Sequence, residues 1–461
     1  MNTENSFRDS VATIDQSGKR ILLHPKQPKG KFYKARTIVS IVWLLTFFAI
    51  PFVKIGGYPL LLLDVSHRKF IILGQVFWPQ DFYLFALFTI SLILFLILFT
   101  VVYGRIFCGW VCPQTIFMEM VFRKIEYWIE GTAAQQKALN NAPLSASKVS
   151  KKFFKHLIFL GLSIIFVHVF LLYFIEPARL WEIVTNPPTE NLQGFLFANG
   201  TTLLFYGVYA RFREQMCTLV CPYGRLQGVL LDERSIVVSY DFKRGEPKGK
   251  ISKKQTVPLG DCVDCYQCVR VCPTGIDIRN GTQLECVNCT ACIDACDAVM
   301  KKVNRPLGLI RFASHQEIDK KEKFRFTPRM LGYTAVLTIL IVVLGLSITN
   351  RTSVETSILR VPGVLYRVLN DGQVNNLYNY KIVNKTHDQL KITLKLKSPQ
   401  GSIQMIGVNQ VVKPESLTEG TFFIKIPLIK RTSNKIPIEI EIYSEGTLIE
   451  VVKTNFIGPE Q

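Results

Sequence analysis

Five stretches of this chain, residues 37–53, 82–103, 157–175, 192–210 and 330–349, contain no Asp, Glu, Lys or Arg and are built mostly of large apolar side chains. Hydrocarbon about 30 Å thick is crossed by a helix of about 20 such residues. A segment in lipid must satisfy its own backbone, so the five are expected to be helices before anything else is decided. The first, at 17 residues, is short enough for a buried soluble helix, but 82–103 is too long and too apolar for that reading. Mean hydropathy is +0.22 and 48% of the 461 residues are hydrophobic, with the apolar excess concentrated in these five stretches.

The net charge of +20 would fit a nucleic-acid partner if the cations lay along one stripe. They flank the apolar spans instead, which excludes that class and sets an orientation. Residues 1–36, 104–155 and 211–329 hold 8, 8 and 21 Lys+Arg, whereas 54–81 and 176–191 hold 3 and 1. By the positive-inside rule the N-terminus is cytoplasmic, and five spans place 351–461 outside. The first 35 residues show no cleavable signal pattern, so 37–53 is expected to remain as an anchor in a multi-pass inner-membrane protein.

All 12 cysteines fall between Cys108 and Cys296, on the inner side or its boundary, and the outer segment has none. Disulfides belong to the oxidising compartment, so these thiols point to metal. The densest signal is Cys262-x2-Cys265-x2-Cys268-x3-Cys272-Pro273 followed by Cys286-x2-Cys289-x2-Cys292-x3-Cys296. Three close thiolates hold three corners of a cubane, and in two-cluster ferredoxins the fourth comes from the other motif. One [4Fe–4S] cluster is therefore expected on Cys262, Cys265, Cys268 and Cys296, the other on Cys286, Cys289, Cys292 and Cys272. Zinc sites rarely repeat this spacing. Asp297 stands where many ferredoxins have a second proline.

A second cysteine pattern is repeated. After span two comes Cys108-Gly-Trp-Val-Cys112-Pro113, and after span four Cys217-Thr-Leu-Val-Cys221-Pro222. Spans one–two and three–four thus read as hairpins in a parallel pseudo-repeat. An i, i+4 pair puts both sulfurs on one helical face, with the proline ending or redirecting the helix. Converging at the membrane boundary, Cys108, Cys112, Cys217 and Cys221 would suit Cu(I), zinc or another cluster. Met118, Met120 and Met216 lie nearby and read as packing residues. His168 is the one histidine inside a span; a haem would need a partner there, and only His156 at the inner boundary offers itself. Glu176 and Glu182 read as solvated outer-loop residues.

Residues 391–397 and 436–442 alternate as half-buried strands, with Ser398-Pro399-Gln400-Gly401 as a turn signal, and the outer 110 residues suggest an immunoglobulin-like sandwich for docking. The expected layout is a basic tail (1–36), a transmembrane hairpin (37–103), a loop with the first CxxxCP (104–155) and a second hairpin (156–210). The second CxxxCP and a basic linker follow (211–254), then a two-cluster ferredoxin-like α+β module (255–312), a linker (313–329), a fifth transmembrane helix (330–349) and a periplasmic all-β domain (350–461).

The run from Cys268 through Cys272-Pro273-Thr274-Gly275-Ile276-Asp277-Ile278-Arg279, continuing by Leu284-Glu285-Cys286 to Cys292-Ile293-Asp294-Ala295-Cys296-Asp297, resembles the cytochrome c oxidase accessory proteins called CcoG, FixG or RdxA. The resemblance extends over nearly the whole chain. It implies maturation of cbb3-type cytochrome c oxidase through reduction of Cu(II) to Cu(I), with oxidase subunits or copper-delivery proteins as partners. The four CxxxCP cysteines would then be the copper site and the eight others the relay. No dinucleotide fingerprint is present, so the electron donor is expected to be a separate protein or a membrane quinol. A homodimer is compatible with the sequence. Two other readings stay open: an electron conduit to a partner reductase, and a redox-sensing assembly scaffold.

Overall fold

The uncharged stretches fold as helices, as internal satisfaction of the backbone requires. The computed structural model describes residues 13–459 apart from 15–16, 66–68, 79–80, 251–257, 323–324, 353, 364–365, 370–371, 387, 408–410, 415, 428–434 and 445. The end of the basic linker, with Lys253 and Lys254, lies outside the described residues. The helices that matter below are α1 (Lys31–Ala49), α2 (Phe82–Tyr103), α3 (Ile106–Trp110), α4 (Ala133–Asn141), α5 (Ala146–Leu171), α6 (Leu192–Gly207), α7 (Pro222–Leu230), α8 (Gln267–Arg270), α9 (Ala291–Lys302) and α10 (Pro328–Thr349).

Among the described residues four helices are long and apolar enough to cross a membrane: Lys31–Phe52, which is α1 with a 3-10 turn, then α2, α5 and α10. The expected fourth span, 192–210, differs in kind. Its α-helical part, α6, has 16 residues, about 24 Å of rise. It continues as a π-helical turn, Val208–Phe212, which ends at Arg213 with φ 50°. The sequence there is apolar enough for a span, but hydropathy does not report where a helix changes its winding.

The chain forms two compact units, one of residues 1–55, 59–64 and 86–342, the other of 56–58, 65–85 and 343–461. In the first, Phe117, Met118, Phe122, Phe159, Phe166 and Tyr209 make an aromatic core. Phe122 stacks on Tyr209 with ring centroids 4.7 Å apart. Met118 and Met120 are buried in packing positions, as expected. His168 donates from Nδ1 to the Ile164 carbonyl of its own helix, 2.7 Å, and His156 pairs with the Tyr206 hydroxyl at 2.8 Å. Glu176 and Glu182 are exposed.

Beside this core lies a buried ionic cluster that hydropathy gave no reason to expect. Glu126 pairs with Arg213 and Lys155, Glu130 with Lys152 and Lys155, and Glu214 with Arg20 and Arg123. Removing one member of such a set typically costs about 3–5 kcal/mol, because its partner is left charged and buried. Arg20 belongs to the segment expected to be a solvated tail, and that expectation fails over the described residues. Tyr127 donates to the Pro25 carbonyl, and the Lys26 N–H donates to Arg270 O at 2.7 Å. The tail is polar enough to be soluble, yet its backbone is bonded into the unit.

In the second unit, a hairpin of β1 (Lys69–Ile72) and β2 (Gln75–Phe77) precedes α2. The C-terminal part is two antiparallel sheets around one core. The strands 390–398 and 435–444 form where alternation placed them, and Ile438, Ile440 and Ile442 are all fully buried on one face. Asp81, just before α2, accepts from Arg351 and Lys385, both at 2.7 Å, and Lys385 also reaches Glu355 at 2.9 Å.

Candidate metal centres

The two four-cysteine motifs fold as one plan used twice. Asp264 and Asn288 occupy the same position in their motifs, as do Tyr266 and Thr290, and all four have positive φ, 49°, 52°, 57° and 64°. Left-handed backbone costs a non-glycine residue about 1–2 kcal/mol, least for Asp and Asn. Tyr266 and Thr290 then start α8 and α9, so each loop curls tightly before its helix begins. The motifs sit beside a two-stranded ribbon of β3 (Val237–Tyr240) and β4 (Ile310–Ala313).

Two small cavities lie against these loops. One is lined by Cys262, Cys265, Cys268 and Cys296, under Tyr240 and Met300. The other is lined by Cys272, Cys286, Cys289 and Cys292, and Cys268 lines both. Each brings together thiols from both motifs. Among the described residues no three Cys, His, Asp or Glu side chains crowd closely enough to hold a single ion. Burial pushes the thiols up, Cys268, Cys286 and Cys296 to about 12, and Cys289 to about 11. Groups this reluctant to ionise become thiolates when a bound metal displaces the proton.

The loops are held differently. Around the first, Arg279 donates to Asp264 at 2.5 Å and to Asp277 at 2.6 Å, and its guanidinium lies 4.1 Å from the centre of the Tyr266 ring. Burial pushes the Asp277 carboxyl up, but the hydrogen bonds from Arg279 outweigh it and hold it below the usual carboxylate range. Around the second, Asn288 accepts from the Val238 N–H at 3.3 Å. Asp294, inside the second motif, caps α1, accepting from the Phe32 and Tyr33 N–H groups at 3.2 and 2.7 Å. Its charge also opposes the helix dipole there. Asp297, in place of a proline, accepts from the Gly308 N–H at 2.9 Å.

The CxxxCP motifs depart from the helical-face expectation in a shared way. The Cys112 N–H bonds Phe107 O at 2.9 Å and the Cys221 N–H bonds Met216 O at 2.8 Å, so both turns close from residue i to i−5. Each second cysteine is then extended, with ψ 126° and 112°, and its proline takes the first position of the next helix. Proline here starts a helix rather than ending one. Cys108 donates to Gln227 Oε1 at 3.3 Å, and Arg105, itself buried, donates to the same oxygen at 2.7 Å. The four thiols lie within electrostatic reach of one another, and burial with neighbouring cysteines pushes Cys217 to about 12.

The two sites adjoin. A Cβ on Gly109, between Cys108 and Cys112, would lie 2.4 Å from Val287 O and 3.0 Å from Asn288 backbone. The first CxxxCP turn is therefore seated, backbone to backbone, on the second cysteine loop. Arg36 Nε donates to Gly109 O at 3.1 Å, and Arg105 donates to Leu284 O. Sequence reading singled out neither Gly109 nor Gln227; a glycine inside a repeated motif that lacks one at the matching position, Thr218, was the available signal.

Membrane-length helices, paired four-cysteine loops and a C-terminal β-sandwich in one chain define a membrane-associated iron–sulfur electron-transfer protein. A family model for a 4Fe-4S dicluster domain matches residues 212–315, one for a 4Fe-4S binding domain matches 85–131, and one for the immunoglobulin-like fold at the C-terminus of FixG matches 344–459. The nitrogen fixation protein FixG of Rhizobium meliloti is 31% identical over 460 residues, covering 89% of this chain and 87% of FixG. Protein RdxA of Cereibacter sphaeroides is 33% identical over 399 residues, 83% of each chain. The ferredoxin-type protein NapH of Haemophilus influenzae is 23% identical over 228 residues, 46% of this chain and 66% of NapH. The chain belongs to the FixG/RdxA family.

Proposed function

We propose that this chain carries electrons through two [4Fe–4S] clusters to the CxxxCP thiols, where Cu(II) is reduced to Cu(I) for assembly of a cbb3-type cytochrome c oxidase. Cys262, Cys265, Cys268 and Cys296 hold one cluster and Cys272, Cys286, Cys289 and Cys292 the other; the two cysteine-lined cavities support this division. The clusters supply one-electron storage. The observation that carries the direction is the seat of Gly109 on the Val287–Asn288 backbone, which joins the second loop to the turn bearing Cys108 and Cys112. Cys265 is the one exposed cysteine of the twelve, so electrons are taken up at the first cluster and leave from the second.

Each electron leaving the chain converts one Cu(II), the substrate, to Cu(I). Soft thiolates favour Cu(I), which biases the step forward. Cys108, Cys112, Cys217 and Cys221 bind it, while Arg105 and Gln227 orient Cys108. The Lys/Arg distribution supports a cytoplasmic relay and a periplasmic sandwich. The test is anaerobic reduction of the purified protein, removal of excess reductant, and addition of Cu(II) with a Cu(I)-specific chelator. Cu(I) should appear in step with cluster oxidation, and Cys108→Ser and Cys221→Ser should each suppress it while keeping both cluster signals. Cluster oxidation without Cu(I), or full activity in both variants, sinks the reading.

One observation favours a second reading of the four thiols. The 4Fe-4S binding model spans 85–131, and with it Cys108 and Cys112. A third cluster there would raise iron to about 12 per chain from about 8, and the chain would then be a conduit to a partner reductase.

A further inference from the structure

A cleft of about 960 Å³ opens between the 21–29 segment, α4 and α8. Lys26, Lys29, Lys137 and Arg270 line it, and no carboxylate does among the described residues. All four cations are exposed, and Ile21 and Leu22 between them are 42% and 44% exposed. Specific contacts fix the walls of the cleft. Lys26 Nζ donates to Gln267 Oε1 at 3.2 Å, and the Leu23 side chain lies over Gly275, filling the space a Cβ there would need. His24 is fixed between Gln136 and Asn140, and burial lowers its pKa, so it adds no charge at neutral pH.

One wall of the cleft belongs to the first cysteine motif. α8 carries Cys268, and Gln267 and Arg270, which line the cleft, flank that cysteine; exposed Cys265 precedes Gln267 by two residues. We propose that this cleft is the docking site of an acidic one-electron carrier protein that reduces the chain. A small phosphate ligand would want its cations at the floor. Here all four are exposed and stand beside exposed apolar side chains, as in a transient protein interface. Opposite charge on the partner steers encounter and sets the on-rate. Each encounter moves one electron: with a reduced flavodoxin, the flavin hydroquinone anion becomes the neutral semiquinone, the chain gains the electron, and no proton moves. The inference rests on uptake at the first cluster, as proposed above.

The test uses the full cluster-loaded chain in nanodiscs of neutral lipid, with an acidic flavodoxin as probe. Wild type should bind oxidised flavodoxin with a salt-sensitive affinity and oxidise the reduced form rapidly. The variant Lys26→Glu/Lys137→Glu/Arg270→Glu should bind at least about tenfold more weakly and react at least about tenfold more slowly at low salt. Dithionite should still reduce its clusters fully, which separates lost docking from lost clusters. Lys301→Glu/Lys302→Glu, at the far end of α9, should change neither quantity. Unchanged binding and rate in the triple variant overturns the proposal. So does dependence of anionic-vesicle binding, rather than flavodoxin binding, on the same residues, or saturable inorganic phosphate binding there. Flavodoxin-driven cluster reduction without Cu(I) formation would leave the docking site standing and remove the copper step alone.

Discussion

The loop from Cys262 to Cys272 and the loop from Cys286 to Cys296 wind identically, with left-handed residues at matching positions, yet one shows Cys265 to solvent and the other presses its backbone on Gly109. The first is locked by charged side chains, through Arg279, Asp264 and Asp277. The second is locked to its surroundings, through Asn288 to β3 and Asp294 to α1. Spacing sets what a loop can bind, and the neighbours set what it can exchange with. A side-chain clamp leaves a loop open to partners, whereas backbone contact fixes it against one turn.

The sharpest way to break this comparison is to remove the shared ligand position. Cys272→Ser should abolish the cluster held with Cys286, Cys289 and Cys292 and spare the one beside its own motif. Iron should fall to about 4 from about 8 per chain, with one EPR signal lost. Loss of the Cys262–Cys265–Cys268 signal instead would reverse the pairing. Next in size is Gly109→Ala. Its Cβ meets backbone that cannot swing aside, so overpacking should cost about 1–3 kcal/mol. Copper reduction should drop at least about tenfold as the turn lifts, while both clusters stay assembled and dithionite-reducible. Equal loss of both clusters would show that Gly109 serves folding alone.

The smallest effect belongs to the clamp. Arg279→Gln should weaken the first loop and leave the second unmoved, seen as earlier thermal loss of one EPR signal. The Asp277 contribution carries a pH signature with a fixed sign. Its folded pKa is depressed, so the stability it adds is fully present above the ordinary carboxylate value near about 4 and is lost as pH falls through the lower folded value. Without Arg279 that window closes, and the first signal should fail at higher pH than in wild type. Parallel failure of both signals would contradict independent locking.

Much of this architecture was legible in residue order. The uncharged runs marked the helices, and period-two alternation marked Ile438, Ile440 and Ile442 as a buried face. The cysteine spacing marked two loops. What stayed hidden was winding and contact at a distance. Nothing in Cys217-Thr-Leu-Val-Cys221 announces a turn closed over five residues, and nothing near Asp294 says that its carboxylate caps a helix some 260 residues earlier. The basic 21–29 segment has a composition suited to solvent, and its role comes from Arg270 and Tyr127, which are remote in sequence. The buried pairs around Glu126 and Glu214 are invisible to hydropathy, since each charge scores as exposed until its partner is known.

The most direct test of the relay is the order in which the two clusters lose their electrons. Fully reduced protein is mixed with Cu(II), frozen at successive times and read by EPR, with Cys272→Ser identifying which signal belongs to which loop. The signal of the Cys286, Cys289 and Cys292 cluster should fall first, with Cu(I) rising at the same rate, and the signal of the Cys262, Cys265 and Cys268 cluster should follow. If the exposed first cluster oxidises ahead of the second, or both decay together without Cu(I), then copper is not reduced through the seat at Gly109.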